Sequence, residues 1–175
     1  MRTIIHTLAL LSLTACMPDD VKDTGEEADT DTDTDTDTDT DSDSDQDITG
    51  DWVSSGDDLS SLFADAGFTQ ITANFATDGS YAVAADYSGG TFDLSGTYTV
   101  DVSTSPSTIV LSQARPVATA EGIWEIDVDG VMQYEVTQSD PNTDGYSIPT
   151  PDSGFGSTTG PGLESGANLQ IYRRP

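Results

Sequence analysis

The side chains able to do chemistry in this 175-residue chain are few and badly placed for it. The single histidine, the single cysteine and the only lysine are His6, Cys16 and Lys22, all near the N-terminus. Beyond residue 47 only carboxylates, hydroxyls and the guanidiniums of Arg115, Arg173 and Arg174 remain. That set contains no imidazole base, no thiol nucleophile, no Schiff-base amine and no His/Cys zinc site. Two carboxylate arrangements are left. Glu125 and Asp127 lie two apart on an expected strand, so they share a face as an acid/base pair would. Trp124, Ile126 and Val128 claim the inner face, however, which leaves both acids in solvent, and a pair without a shaped cleft is not a site. No catalytic residue is therefore expected, and the chain is not read as an enzyme. The second arrangement is "DPNTDG", with Asp140, Asn142 and Asp144 at the alternate positions of a calcium loop and Gly145 for its sharp turn. The twelfth position is Pro151 where a bidentate Glu belongs, and Asp152 comes one place later. An Asx/Pro turn explains the same letters. Calcium at Asp140, Asn142 and Asp144 is the one cofactor weighed.

The elements that would position these groups begin at about Ile48, where the composition turns aromatic, β-branched and Gly-rich. "ITANF" puts Ile71, Ala73 and Phe75 on one face, and "YAVAA" does the same with Tyr81, Val83 and Ala85. "FDLSGTYTVDV" aligns Phe92, Leu94, Gly96, Tyr98, Val100 and Val102. "IVL" at Val110 is a short apolar run, and "IWEIDV" and "VMQYEV" read as a hairpin turning at Asp129-Gly130. With "ITGDWV" before them and "LQIY" after them, about eight strands result. The spacing of Leu59, Leu62 and Phe63 predicts one short helix over "DDLSSLF", with Asp57 and Asp58 at its positive end. Eight sequential antiparallel strands and one helix predict an all-β fold, an up-and-down barrel over residues 48–175, with a β-sandwich as the competitor. Neither face carries the apolar bands of a membrane-spanning barrel. The inward residues Phe92, Leu94, Tyr98, Trp124 and Tyr134 either line a pocket for a small apolar ligand or fill a closed core. A long Gly/Ser/Pro-rich insert, Pro141 to Gly166, precedes the last strand and is expected to be a functional lid or disordered.

Ahead of the barrel, residues 17–47 hold fifteen acids, one base and almost nothing to bury. The repeat "DTDTDTDTDTDTDSDSD" matches a strand in period, but paired strands would set like charges side by side within a Debye length of about 8 Å. A disordered, extended acidic linker is expected, reaching on the order of 100 Å at full stretch. It lacks the turn and the bidentate carboxylate of a calcium loop. At the N-terminus, Arg2 and the apolar run Ile4 to Leu13 form a segment shorter than the about 20 residues of a membrane span, and read as a signal peptide over residues 1–15.

Two resemblances sharpen this. "LTAC", Leu13 to Cys16, resembles the lipobox of bacterial lipoproteins. That implies cleavage before Cys16, a diacylglyceryl group on its thiol and a membrane anchor of two or more chains. Met17 after the cysteine implies sorting to the outer membrane, and hence a cell-envelope location. An ordinary signal peptide is the alternative. "GDW", Gly50 to Trp52, resembles the Gly-x-Trp signature of lipocalins. "DGSY", "GTYTVDVSTSPSTIVL", "GIWEIDVDG" and "YRR" are similar to small secreted lipocalin-like domains of unknown function known from planctomycetes. The resemblance implies structural roles for Gly50, for Trp52 and for a basic residue, Arg173 or Arg174, stacked on that tryptophan. With one cysteine there is no internal disulfide. Residues 48–175 set three arginines against seventeen acids, which disfavours nucleic acid and anionic headgroups as partners but not cations or a basic protein. The domain is expected to be monomeric.

Overall fold

The computed structural model describes residues 46–175; the segment expected to be a signal peptide, Cys16 and most of the expected acidic linker lie outside the described residues. Eight strands follow in order: β1 (Gly50–Ser55), β2 (Phe68–Phe75), β3 (Ser80–Tyr87), β4 (Gly90–Asp101), β5 (Ser107–Gln113), β6 (Ala118–Ile126), β7 (Met132–Asp140) and β8 (Gln170–Tyr172). Each is antiparallel to the next in one sheet, β1 to β8 in sequence order. The sheet curls until its edges meet. Val53 and Arg173 exchange backbone hydrogen bonds at 2.8 and 2.9 Å, which leaves the barrel nearly closed.

β8 is only three residues long, so the upper part of the seam is closed by side chains. The Gln170 amide donates to the Ser54 hydroxyl and its oxygen accepts from the Ser60 N–H at 2.9 Å, all three residues being buried. Closure also needs close approach of backbones. At Gly122 an added Cβ would lie 2.0 Å from the Glu135 carbonyl oxygen, so β6 and β7 can coil against each other there only without a side chain.

The registers place one end of every strand at a common base. Gly50, Phe75, Ser80, Asp101, Ser107, Ile126, Met132 and Tyr172 all lie toward it. Ile48, Trp52, Trp124, Ile126 and Met132 are buried here, and the core is densest at this end. Arg174 covers it from outside. Its guanidinium carbon stands 3.8 Å from the centre of the Trp52 ring, and its nitrogens donate to the carbonyls of Thr49 (2.5 Å) and Asp47 (3.0 Å). Gly50 makes room: its φ is +103°, and a Cβ there would sit 2.5 Å from Arg174 Nη1. Arg173 was the other basic residue considered for this stack, and it does not take part. It points the opposite way, into a salt bridge with Asp58 (2.8 Å), because Tyr172 faces inward and alternation turns the next residue out.

The strand alternation holds with local corrections. Val128, expected on the inner face, is 95% exposed in the turn, because β6 ends at Ile126. That turn spans residues 127–131 and not two residues. The Asp127 carboxylate accepts the N–H groups of Asp129 and Val131 at 2.9 Å each, and Gly130 takes φ +76°. Val100 and Val102 lie at the end of β4 beyond its pairing with β3 and are exposed. The predicted helix starts later than its apolar spacing suggested: Gly56–Asp58 is one 3₁₀ turn, and a five-residue helical turn, α1 (Ser61–Asp65), begins after Ser60, whose hydroxyl accepts from the Phe63 N–H at 3.4 Å. Order also reaches slightly further back than Ile48, since the Gln46 amide bonds both ways to the backbone of Ile126 (2.9 and 3.2 Å).

The insert is ordered. Residues 141–169 form a strap held by turns at Gly145, Gly154, Gly156 and Gly162, and by the Ser147–Thr159 pair (2.8 Å). It lies against the outward side of β7, where Glu135 is 0% exposed. Gly156 N–H donates to Glu135 Oε2 (2.5 Å) and Thr158 N–H to Oε1 (2.9 Å). Ile123, Glu135's register partner on β6, is fully buried on that same outer side.

Candidate functional site

Two concavities bear on function. The first is the lumen, a cavity of about 220 Å³ between the inner faces of the strands. It begins above the packed base at Phe75, Tyr81 and Tyr172 and reaches exposed residues at the other end, Phe92 (48% exposed) and Gln138. The inward residues of β2 to β7 form its walls because each strand alternates, and small side chains at Ala73, Ala85, Ala118 and Ala120 leave the volume unfilled. α1 lies beside the upper end. Phe63 packs edge-on to Phe68 at 5.7 Å, and Phe68 meets Tyr87 at 5.7 Å. The Leu62 N–H donates to the Ala167 carbonyl (2.9 Å), so the helical turn and the strap's end are joined beside this opening.

The lumen's polarity is specific. None of its twenty lining residues is Asp, Glu, Lys or Arg, although the chain carries a net charge of −27. Three tyrosines reach into it. Tyr134 and Tyr172 meet edge-to-face at 5.7 Å, and Phe75 lies between Tyr134 and Tyr81 at 6.4 and 6.5 Å. Burial raises the phenol of Tyr134 well above the ordinary tyrosine value, with Tyr172 and Tyr81 adding to it. Burial also raises Tyr172 and Tyr81. Among the described residues none of these three hydroxyls has a protein hydrogen-bond partner. Among the described residues the one side-chain polar atom sealed from solvent without a partner is Thr158 Oγ1, so the three hydroxyls of these lining residues are not sealed.

Of the expected ligand set, Phe92, Leu94 and Tyr134 line the lumen. Tyr98 and Trp124 do not. Tyr98 packs on Phe75 (5.1 Å) near the base and donates to the Ala76 carbonyl at 3.0 Å, while Trp124 is fully buried in the base with its N–H on the Thr108 carbonyl (3.3 Å). Both are core residues because their strand positions fall on the base side of the cavity. Sequence reasoning missed Tyr81 and Tyr172 as lumen residues. The signal was available for Tyr81, an aromatic residue on the same expected face as Val83 and Ala85.

The second concavity is a groove of about 430 Å³ across the outer faces of β1 to β4, floored by Ala82 and Ala84 and rimmed by Asp51, Asn74, Asp93 and Arg115. It is larger but more open and more polar than the lumen. Asn74 donates to Asp51 at 2.7 Å, which satisfies part of the rim internally. The enclosed apolar lumen has more of the character of a small-molecule site.

The calcium candidates are brought into a turn. The Asn142 oxygen accepts the Gly145 N–H (2.8 Å), its amide donates to the Tyr146 carbonyl (2.9 Å), and Gly145 takes φ +70°. This is the Asx turn that explained the same letters. Among the described residues no three His, Cys, Asp or Glu side chains are grouped to hold a metal. Glu125 accepts from the Ser105 hydroxyl (3.1 Å) and Asp127 caps its turn, so the two acids share no cleft.

No protein-family model matches the chain, and comparison with curated proteins and with solved structures finds no match either.

Proposed function

We propose that this protein is an envelope lipoprotein, anchored through lipidated Cys16, whose barrel binds a small and largely apolar molecule in its lumen. The observation that carries the binding reading is the lumen itself. A volume near 220 Å³ is kept open by alanines and lined without charge. An engineered apolar cavity of about 150 Å³ suffices for benzene, so this volume takes a substituted single ring. Gln46 and Pro175, the two ends of the described chain, are both at the base, held by Ile126 and by the Arg174 stack. The anchor reading rests on "LTAC".

A second reading, a filled barrel that works through its surface, is favoured by the outer groove and by a lumen smaller than the roughly 300–1,000 Å³ of most ligand pockets. A native mass spectrum of the protein purified from its own envelope decides between them. An added organic mass that is lost on denaturation is the expected result. A bare polypeptide mass in every preparation would leave the surface reading. The same spectrum tests the anchor, because the N-terminal peptide should start at Cys16 and carry acyl mass that a Cys16→Ser variant lacks.

A further inference from the structure

The lining of the lumen narrows the class of molecule it can hold, and this step rests on the lumen-binding reading above. A buried charge without a partner is strongly unfavourable, and the twenty lining residues supply no counter-charge. An ionised carboxylate, phosphate or ammonium is thereby disfavoured. The wall is not wholly apolar, however. Tyr81, Tyr134 and Tyr172 line the cavity, their hydroxyls have no protein partner among the described residues and are not sealed from solvent, and the Tyr134 and Tyr172 rings are in edge-to-face contact at 5.7 Å. The amide donors in the wall are already engaged: Gln170 by Ser54, with its oxygen on the Ser60 N–H, Asn168 by the Val136 carbonyl at 3.0 Å, Gln113 by the Pro116 carbonyl at 2.7 Å and Gln138 by the Pro141 carbonyl at 2.5 Å.

We infer that the lumen selects a neutral, single-ring-sized molecule bearing a hydrogen-bond acceptor, with the Tyr134 and Tyr172 hydroxyls donating to that acceptor deep in the barrel. The raised tyrosine values agree with this, since both groups stay protonated and can donate at neutral pH. A site with unpartnered donors discriminates against a ligand that cannot satisfy them, because filling the cavity with apolar atoms would leave the hydroxyls dry and unpaired.

Three probes of similar size test this on the full chain: acetophenone (neutral, with an acceptor), ethylbenzene (no acceptor) and benzoate (anionic). Titrations followed by calorimetry and by the methyl resonances of Ala85, Leu111 and Ala120 should show acetophenone binding about 3–10-fold more tightly than ethylbenzene. Benzoate should be the weakest. In Tyr134→Phe/Tyr172→Phe, which keeps both rings and their packing, acetophenone should lose its advantage while ethylbenzene binds as well as before or better. Equal affinities for acetophenone and ethylbenzene in the parent protein, or benzoate binding best, would overturn the inference and leave lumen binding standing. Failure of all three to shift the lumen methyls at millimolar concentration would overturn both.

Discussion

Arg173 and Arg174 are chemically identical neighbours with different tasks, and the difference comes from a single step of strand alternation. Arg174 lies over Trp52 and ties the chain ends together, whereas Arg173 makes a solvent-exposed pair with Asp58, its side chain 58% exposed. Exposed pairs contribute little, while a guanidinium packed on a tryptophan contributes about 1 kcal/mol, and more when desolvated. Arg174→Ala should therefore lower the urea midpoint clearly and shift tryptophan emission, and Arg173→Ala should leave both nearly unchanged. The reverse order would refute the assignment. Gly50→Ala should reproduce the Arg174 loss, because it meets both a positive φ and the guanidinium. Glu135 offers a second test at this scale. Its two oxygens accept two backbone N–H groups in a buried place, so Glu135→Gln turns an N–H₂ toward one of those donors and should cost about 2–4 kcal/mol. Thr158→Val should do the opposite, since Thr158 Oγ1 is buried (residue 1% exposed) and unpartnered among the described residues; a neutral to slightly higher midpoint is expected.

Among the elements, the strap over 141–169 is the one whose order depends on few contacts. The Glu135 carboxylate, the bond from the Thr137 hydroxyl to the Ser147 carbonyl (3.4 Å) and the Asn168 amide fasten it to β7. Limited proteolysis of Glu135→Gln should cut first within 141–169, at concentrations that leave the parent protein whole. Cutting elsewhere first would mean that the strap is held by something other than this carboxylate. The turns at the base make a separate prediction. Asp78 and Asp101 each accept the N–H and hydroxyl of a serine two residues on, and these bonds lower both carboxylates below the ordinary aspartate value. A lowered value in the folded state means stabilisation that is complete above the unfolded value and lost as pH falls through the folded one. An Asp78→Asn/Asp101→Asn variant should thus be less stable than the parent at pH 6, and the gap should close between pH 4 and 2. A gap that stays constant across that range would show that the charge on these turns is irrelevant.

For the whole molecule, the barrel and what precedes it should be separable. Every element of the barrel finds its partners within residues 46–175, down to Gln46 on Ile126 and Arg174 on Asp47. A fragment 46–175 should unfold cooperatively at the same urea midpoint as the full chain, and a large shift would mean that the acidic segment contributes to the fold.

The strand number, antiparallel order and inward faces were legible in the sequence because they follow from local period-two patterning, and so was the absence of imidazole, thiol and amine chemistry beyond residue 47. Patterning says which face a residue takes but not how far along the barrel it sits. Trp124 and Tyr98, correctly read as inward, are therefore base residues, while Tyr81 and Tyr172 meet the cavity. The strap was out of reach for the same reason: Glu135 and Gly156 are twenty-one residues apart, and nothing local reports that a carboxylate on an outward face will be buried. Whether inward residues fill a core or surround a space depends on how eight registers and four alanines add up across the barrel, a sum that exists only once the sheet has closed.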